Sequence, residues 1–293
     1  MGDKGAVISL VRGASVELTA RDGKAIERSG EMLERGTPVF ISRVPGDTNE
    51  VTVGAARRLR QLGVEPVPHI GARYFASREA LEDLLARLRG EAAVEEVLCI
   101  AGDLSQPLGP LASSAEIIET GLLEKNGIRK VNIAGYPEGH PKIAAPVLAD
   151  FMQRKLARLA QSGLAPTIVM QFCFESEPIV AFVKSLRTRG VAVPVRVGLA
   201  GPASMTTLAK YAIRCGVGNS ARALLSGGGR FARLLTDAGP EAIVAELAAA
   251  KLDLAGLHFY TFGGLAKTAA WLNTVRSGNF SLTGDEAGFK LNR

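Results

Sequence analysis

Tyr136, Glu138 and His140 stand two residues apart in the stretch VNIAGYPEGHP, residues 131–141. All three side chains can donate or accept a hydrogen bond, and all three titrate. Gly135 frees the backbone, while Pro137 and Pro141 stop a strand or helix from continuing. Polar groups leaving a short apolar strand on a rigid turn are where α/β proteins place ligands, although an ordinary surface turn reads the same way. The event recurs along the chain. Glu17 lies in SVELTA, His69 ends EPVPHI, Asp103 follows EVLCIAG, Gln171 lies in TIVMQFCF, and His258 and Tyr260 lie in LAGLHFYTF.

Several chemistries can be weighed from residue types. No HxH or HExxH pair is present, so a catalytic metal is not expected. No GxSxG turn supports a nucleophilic serine. Cys99, Cys173 and Cys215 are odd in number and sit among apolar residues, as reduced core thiols would. A carboxyl such as Glu17 in an apolar strand would have its pKa raised by desolvation and could serve as a general acid, or it is a structural carboxyl inside a barrel. Asp103 would place negative charge beside a ligand. Gln171 offers a donor and an acceptor to the amide-like edge of a pterin or flavin.

These groups need elements to hold them. Strands are expected at 15–20, 38–44, 65–70, 96–102, from 131, 167–174, 193–199 and 254–262. Helical spacing follows each, for example over 24–34, 51–62, 113–125, 145–161, 176–189 and 265–275, with Ser77 capping another. The glycine run 227–229 reads as a helix break and less readily as a phosphate loop. Eight strand–helix units without a linker predict a single (β/α)8 barrel over 1–293, with a loose polar tail from about 277. A doubly wound open sheet is the alternative, but no glycine-rich fingerprint follows the first strand. On a barrel the polar residues above would gather at the C-terminal ends of the strands, all three histidines included.

With 293 residues, 47% apolar and 22% charged, the chain is long enough for a large core. Its net charge of +6 is scattered and its aromatics are only 5%, which speaks against nucleic acid and suits a small anionic ligand. No stretch has the length of a signal peptide or membrane span, so a cytoplasmic protein is expected, with a homo-oligomer left open.

The motif YPEGHP closely resembles the AYPExHP signature of methylenetetrahydrofolate reductases. VELTAR, PHI, GDL, QFCF and HFYTF follow the order of that family's EFFPPR, PH, RGDLP, TQFFF and HFYTLNR pieces. The resemblance implies a barrel holding FAD, a reduced nicotinamide, NADH or NADPH, as hydride source, and 5,10-methylenetetrahydrofolate reduced to 5-methyltetrahydrofolate. It assigns Glu17 as general acid and Asp103 as the aspartate beside flavin and pterin. It gives Gln171 and Phe262 to the folate, and His69, Tyr136, His140 and Lys155 to the flavin and its phosphates. Some family positions differ here. The cofactor-binding arginine is Ala101, the threonine of VTYG is Val44, PPR is reduced to Ala20-Arg21, and the arginine of HFYTLNR falls on Gly264. The stacking phenylalanine aligns near Leu225. Lost cofactor contacts leave three readings beside the flavoenzyme. These are direct hydride transfer between nicotinamide and folate, a folate-binding barrel without turnover, and a one-carbon transferase.

Overall fold

The computed structural model describes residues 3–215, 217, 239–283 and 288–292. Leu225 and the glycine run 227–229 lie outside the described residues. Eight strands close in chain order: β1 (Ser15–Thr19), β2 (Pro38–Ser42), β3 (Glu65–Gly71), β4 (Glu96–Ile100), β5 (Lys130–Gly135), β6 (Ala165–Met170), β7 (Val195–Ala200) and β8 (Gly256–Tyr260). Neighbours such as β3 and β4 run parallel, with His69 beside Leu98. Helices stand between the strands. This is the expected (β/α)8 barrel.

By its internal contacts the chain divides into two compact units. One comprises Glu17–Ala134 and Ala145–Val169. Its strands alternate: Phe40, Val67, Leu98 and Val169 form a cluster on one face, with Ile100 packed against it. Val39, Ile41, Val97 and Cys99, on the opposite face, are equally buried. Strands buried on both faces read as continuous apolar runs, which is why β4 shows in the sequence as EVLC. The helices start on side-chain caps: Asp22, Thr48, Ser77 and Ser113 each accept a backbone N–H of the first turn. The helix expected over 113–125 is two, Ser114–Glu119 and Leu122–Lys125, because Gly121 between them takes a left-handed φ of 75°.

The other unit comprises Met1–Val16, Gly135–Ala144 and Met170–Arg293. It opens with a helix absent from the sequence expectation, Lys4–Arg12, capped by Asp3 and burying Val7 and Val11. Gly198 in β7 has no room for a side chain, since a Cβ would stand 2.1 Å from the Met170 carbonyl oxygen. The loose tail expected from about 277 is corrected: β9 (Phe280–Leu282) pairs antiparallel with β10 (Phe289–Leu291). Phe280 and Phe289 are buried with their rings 4.6 Å apart, and Trp271 packs beside Phe289. Two strands of three residues are too short to show periodicity, so only burial reveals them.

Candidate active site

In the unit built on Glu17–Ala134, β1 and β3 carry the acid and its neighbour. Glu17 Oε2 stands 3.4 Å from His69 Nε2, and the two side chains are 18% and 7% exposed. Burial pushes the Glu17 carboxyl above its ordinary value of 4.5, and His69 pulls the other way. Phe40 meets the His69 ring edge-on at 6.2 Å, adding to the dry surround that produces the shift. The structure thus sets His69 beside the Glu17 carboxyl.

Asp103 follows β4 on an exposed turn. Its backbone N–H donates to the Tyr74 hydroxyl at 3.1 Å. Tyr74 lies on two glycines: a Cβ on Gly71 would stand 2.5 Å from its ring, and one on Gly102 would stand 3.0 Å away. Tyr74 is a positioning residue that the sequence reading missed. The signal available was a tyrosine flanked by glycines at the ends of β3 and β4.

The departures from the family pattern have local explanations. Arg21 pairs with the buried Asp47 and donates to the Gly46 carbonyl at 2.7 Å, so it braces the loop after β2. The same Asp47 accepts from the backbone N–H of Val44 at 2.9 Å. Arg43 lies over the Tyr74 and Phe75 rings and donates to the Asp47 carbonyl and to Asn49. The turn is therefore fastened from within.

Lys155 is placed differently from expectation. It shares the inward face of helix Ala145–Gln161 with Met152 and Leu159 and is only 7% exposed. Burial lowers its amine to about 8, and it acts on Cys99, whose thiol burial lifts to about 12. The residue that the resemblance gives to the flavin phosphates is thus buried on a helix face. A folded pKa below the ordinary 10.5 means that stability is lost as pH falls through 8. Lys155→Met is therefore expected to stabilise the protein at pH 7 by on the order of 1 kcal/mol. At pH 10 the gain should largely vanish, and thermal melts at both pH values check this.

The second unit holds the remaining groups. Tyr136 and His140 meet edge-on at 5.1 Å. His140 Nδ1 accepts the Lys142 backbone N–H at 3.1 Å, which puts the proton of the neutral ring on Nε2. Burial and the nearby Lys142 hold the His140 pKa below its ordinary value. Gln171 follows β6, its backbone N–H bonded to the Gly135 carbonyl at 2.8 Å. Its side-chain oxygen accepts from the Phe172 backbone N–H at 3.0 Å. With the oxygen so engaged, the NH2 is the donor end of the amide.

Residues 136–141 and 171–173, together with Cys215 and Val217, line a cleft of about 10 Å³. That is room for one water and not for a ring. Cys215 is half-buried in this wall, whereas Cys99 and Cys173 are buried as expected. Burial, with Glu138 and Glu175 nearby, pushes the Cys173 thiol far above its ordinary range. Phe262, just past β8, stacks on Tyr211 and meets Phe172 edge-on.

His258 is a correction. It is fully buried, with Nδ1 2.9 Å from the Ser15 hydroxyl at the start of β1, and burial lowers its pKa to about 3. It is a neutral core histidine and not a residue of the strand ends. Tyr260 donates to the Met170 carbonyl at 3.1 Å and closes its strand end.

A closed parallel barrel with helices between its strands is a (β/α)8 scaffold. The family model described as methylenetetrahydrofolate reductase matches residues 23–224, and the chain belongs to that family. The matched stretch includes His69, Asp103, Tyr136, His140, Lys155 and Gln171 and leaves Glu17 and Phe262 outside it. Among solved structures, a dihydropteroate synthase from Thermus thermophilus is similar at 15% identity and a TM-score of 0.49, over 90% of this chain and 93% of that one. The putative copper homeostasis protein CutC from Streptococcus agalactiae is similar at 14% identity and a TM-score of 0.40, over 69% and 94%. Neither likeness bears on activity.

FAD, which the family suggests, asks for cations at its diphosphate. The two positions that the resemblance offers do not supply an open one: Ala101 is uncharged, and Lys155 is buried. These residues do not fit a tightly held FAD. Among the described residues, no helix is long and apolar enough to cross a membrane.

Proposed function

We propose that the chain is a reductase interconverting 5,10-methylenetetrahydrofolate and 5-methyltetrahydrofolate, with NADH or NADPH as the redox partner. The observation that carries this reading is Glu17: a carboxyl raised by burial, paired with His69, on a chain of this family. A carboxyl whose pKa burial raises holds its proton more firmly than an ordinary carboxyl and can give it to N10 of the folate. The bond from N10 to the bridging carbon then breaks, its electron pair staying on N10. The carbon, now doubly bonded to N5, accepts a hydride from the dihydronicotinamide and becomes the methyl group. Glu17 leaves the cycle as carboxylate and regains a proton from solvent.

The remaining roles follow from chemistry. Gln171 donates its NH2 to an acceptor on the pterin, and Phe262 offers a face to it. Asp103, fixed by Tyr74, supplies negative charge beside the ligand. Tyr136 and His140 supply a ring edge and an Nε2–H donor. No step is assigned to FAD, because Ala101 and Lys155 give its diphosphate no open cation. A co-substrate that departs at every turnover needs no such grip.

The test is a flavin-free preparation assayed with NADH and NADPH and 5,10-methylenetetrahydrofolate, with 5-methyltetrahydrofolate measured as product. Turnover without flavin, unchanged on adding FAD, is the expected result. Turnover only with FAD would restore the flavin route, and none in either arm would overturn the assignment.

A further inference from the structure

Phe262 has a φ of 49°, a left-handed conformation that bulky side chains rarely adopt, and Gly263 follows at 81°. A strained aromatic at the end of a barrel strand is a pointer to function. The strained turn brings the ring edge-on to Phe172 at 5.2 Å and parallel to Tyr211, with centroids 4.2 Å apart and planes 24° from parallel. A third ring between them would need centroids roughly 7 Å apart, twice the contact distance. The exposed face of Phe262 is therefore covered by a phenol belonging to the chain itself.

Tyr211 lies on the helix Met205–Cys215. Cys215, from the same helix, walls the cleft beside Gln171 whose volume is about 10 Å³. One element thus covers a face of Phe262 and walls the cleft beside Gln171.

We propose that Tyr211 is a place-holder: its phenol occupies the face of Phe262 on which a planar heteroaromatic ring of the substrate stacks, and helix Met205–Cys215 withdraws to admit that ring. The ligand class is a fused, electron-poor heterocycle with an amide-like edge, because the adjoining Gln171 presents its NH2. The proposal rests on the folate reading above and adds a residue to it. Helix withdrawal opens the cleft at Cys215 and uncovers Phe262 in one movement.

The experiment is calorimetric titration with tetrahydrofolate of the wild type, Tyr211→Ala, Phe262→Ala and the double variant, each checked for folding by circular dichroism. The wild type must give up the ring pair before binding, so Tyr211→Ala is expected to bind about 3–10-fold tighter. Phe262→Ala is expected to bind at least roughly 10-fold more weakly, and adding Tyr211→Ala to it should change nothing further. Should Tyr211→Ala fail to fold, Tyr211→Trp carries the question. Its indole emission, after subtraction of the Trp271 signal, should move to longer wavelength when tetrahydrofolate displaces it. Unchanged or weaker binding by Tyr211→Ala, or an unmoved emission while ligand binds, overturns the place-holder and leaves the folate reading standing. Absence of tetrahydrofolate binding to all the proteins overturns both.

Discussion

Glu17→Gln is expected to lower folate turnover by roughly 10²-fold or more, because it keeps the shape and removes the proton. The same substitution should make the protein more stable at alkaline pH. Glu17 has a folded pKa raised above 4.5, so its contribution to stability is fully present at low pH and is lost as pH rises through the raised value. An amide is never ionised, so the variant escapes that loss. Turnover of 5,10-methylenetetrahydrofolate and thermal melts at pH 4.5 and pH 9 should therefore move in opposite senses at the alkaline end. Near-normal turnover, or a melting difference that does not grow with pH, would remove Glu17 as the acid. His69→Ala should slow turnover less than Glu17→Gln, since His69 stands beside the carboxyl without holding the transferred proton.

Gln171→Ala is expected to weaken folate binding by about 1–3 kcal/mol, or roughly 5–150-fold, through loss of the hydrogen bond from its NH2. Nicotinamide affinity should stay within a factor of about two. The Gln171 side chain also holds the Phe172 backbone N–H, so circular dichroism should accompany the titration. Equal loss of both ligands would indicate a collapse of the strand end and not a lost folate contact.

The fold was legible because parallel strands buried on both faces leave apolar runs, as in β4, β5 and β6, with helical spacing between them. The helix Lys4–Arg12 escaped because its buried stripe is only Val7 and Val11. β9 and β10 escaped because Phe280 and Phe289 are lone aromatics in polar surroundings. The order of polar residues at the strand ends was readable; which way each side chain turns was not. Lys155 looks like a phosphate ligand on a sequence, yet its place beside Met152 and Leu159 on one helical face turns it inward. The helical period could have shown that. His258 was misplaced because a strand position one layer deeper carries the same residue type with the opposite environment. Tyr74 had only its flanking glycines as a signal, and Tyr211 meets Phe262 through a contact between distant segments, for which a single sequence carries none.

The bonds that fasten Lys4–Arg12 have a consequence for how the chain is made. Lys4 donates to the Phe280 carbonyl across 276 positions, and Ser15 meets His258 across 243. Neither contact can form before Phe280 and His258 themselves have been synthesised. The segment Glu17–Ala134, whose strands pair with near neighbours, can condense long before that. That segment can thus fold ahead of the helix Lys4–Arg12, whose Val7 and Val11 wait in water for β9 and β10 to be synthesised.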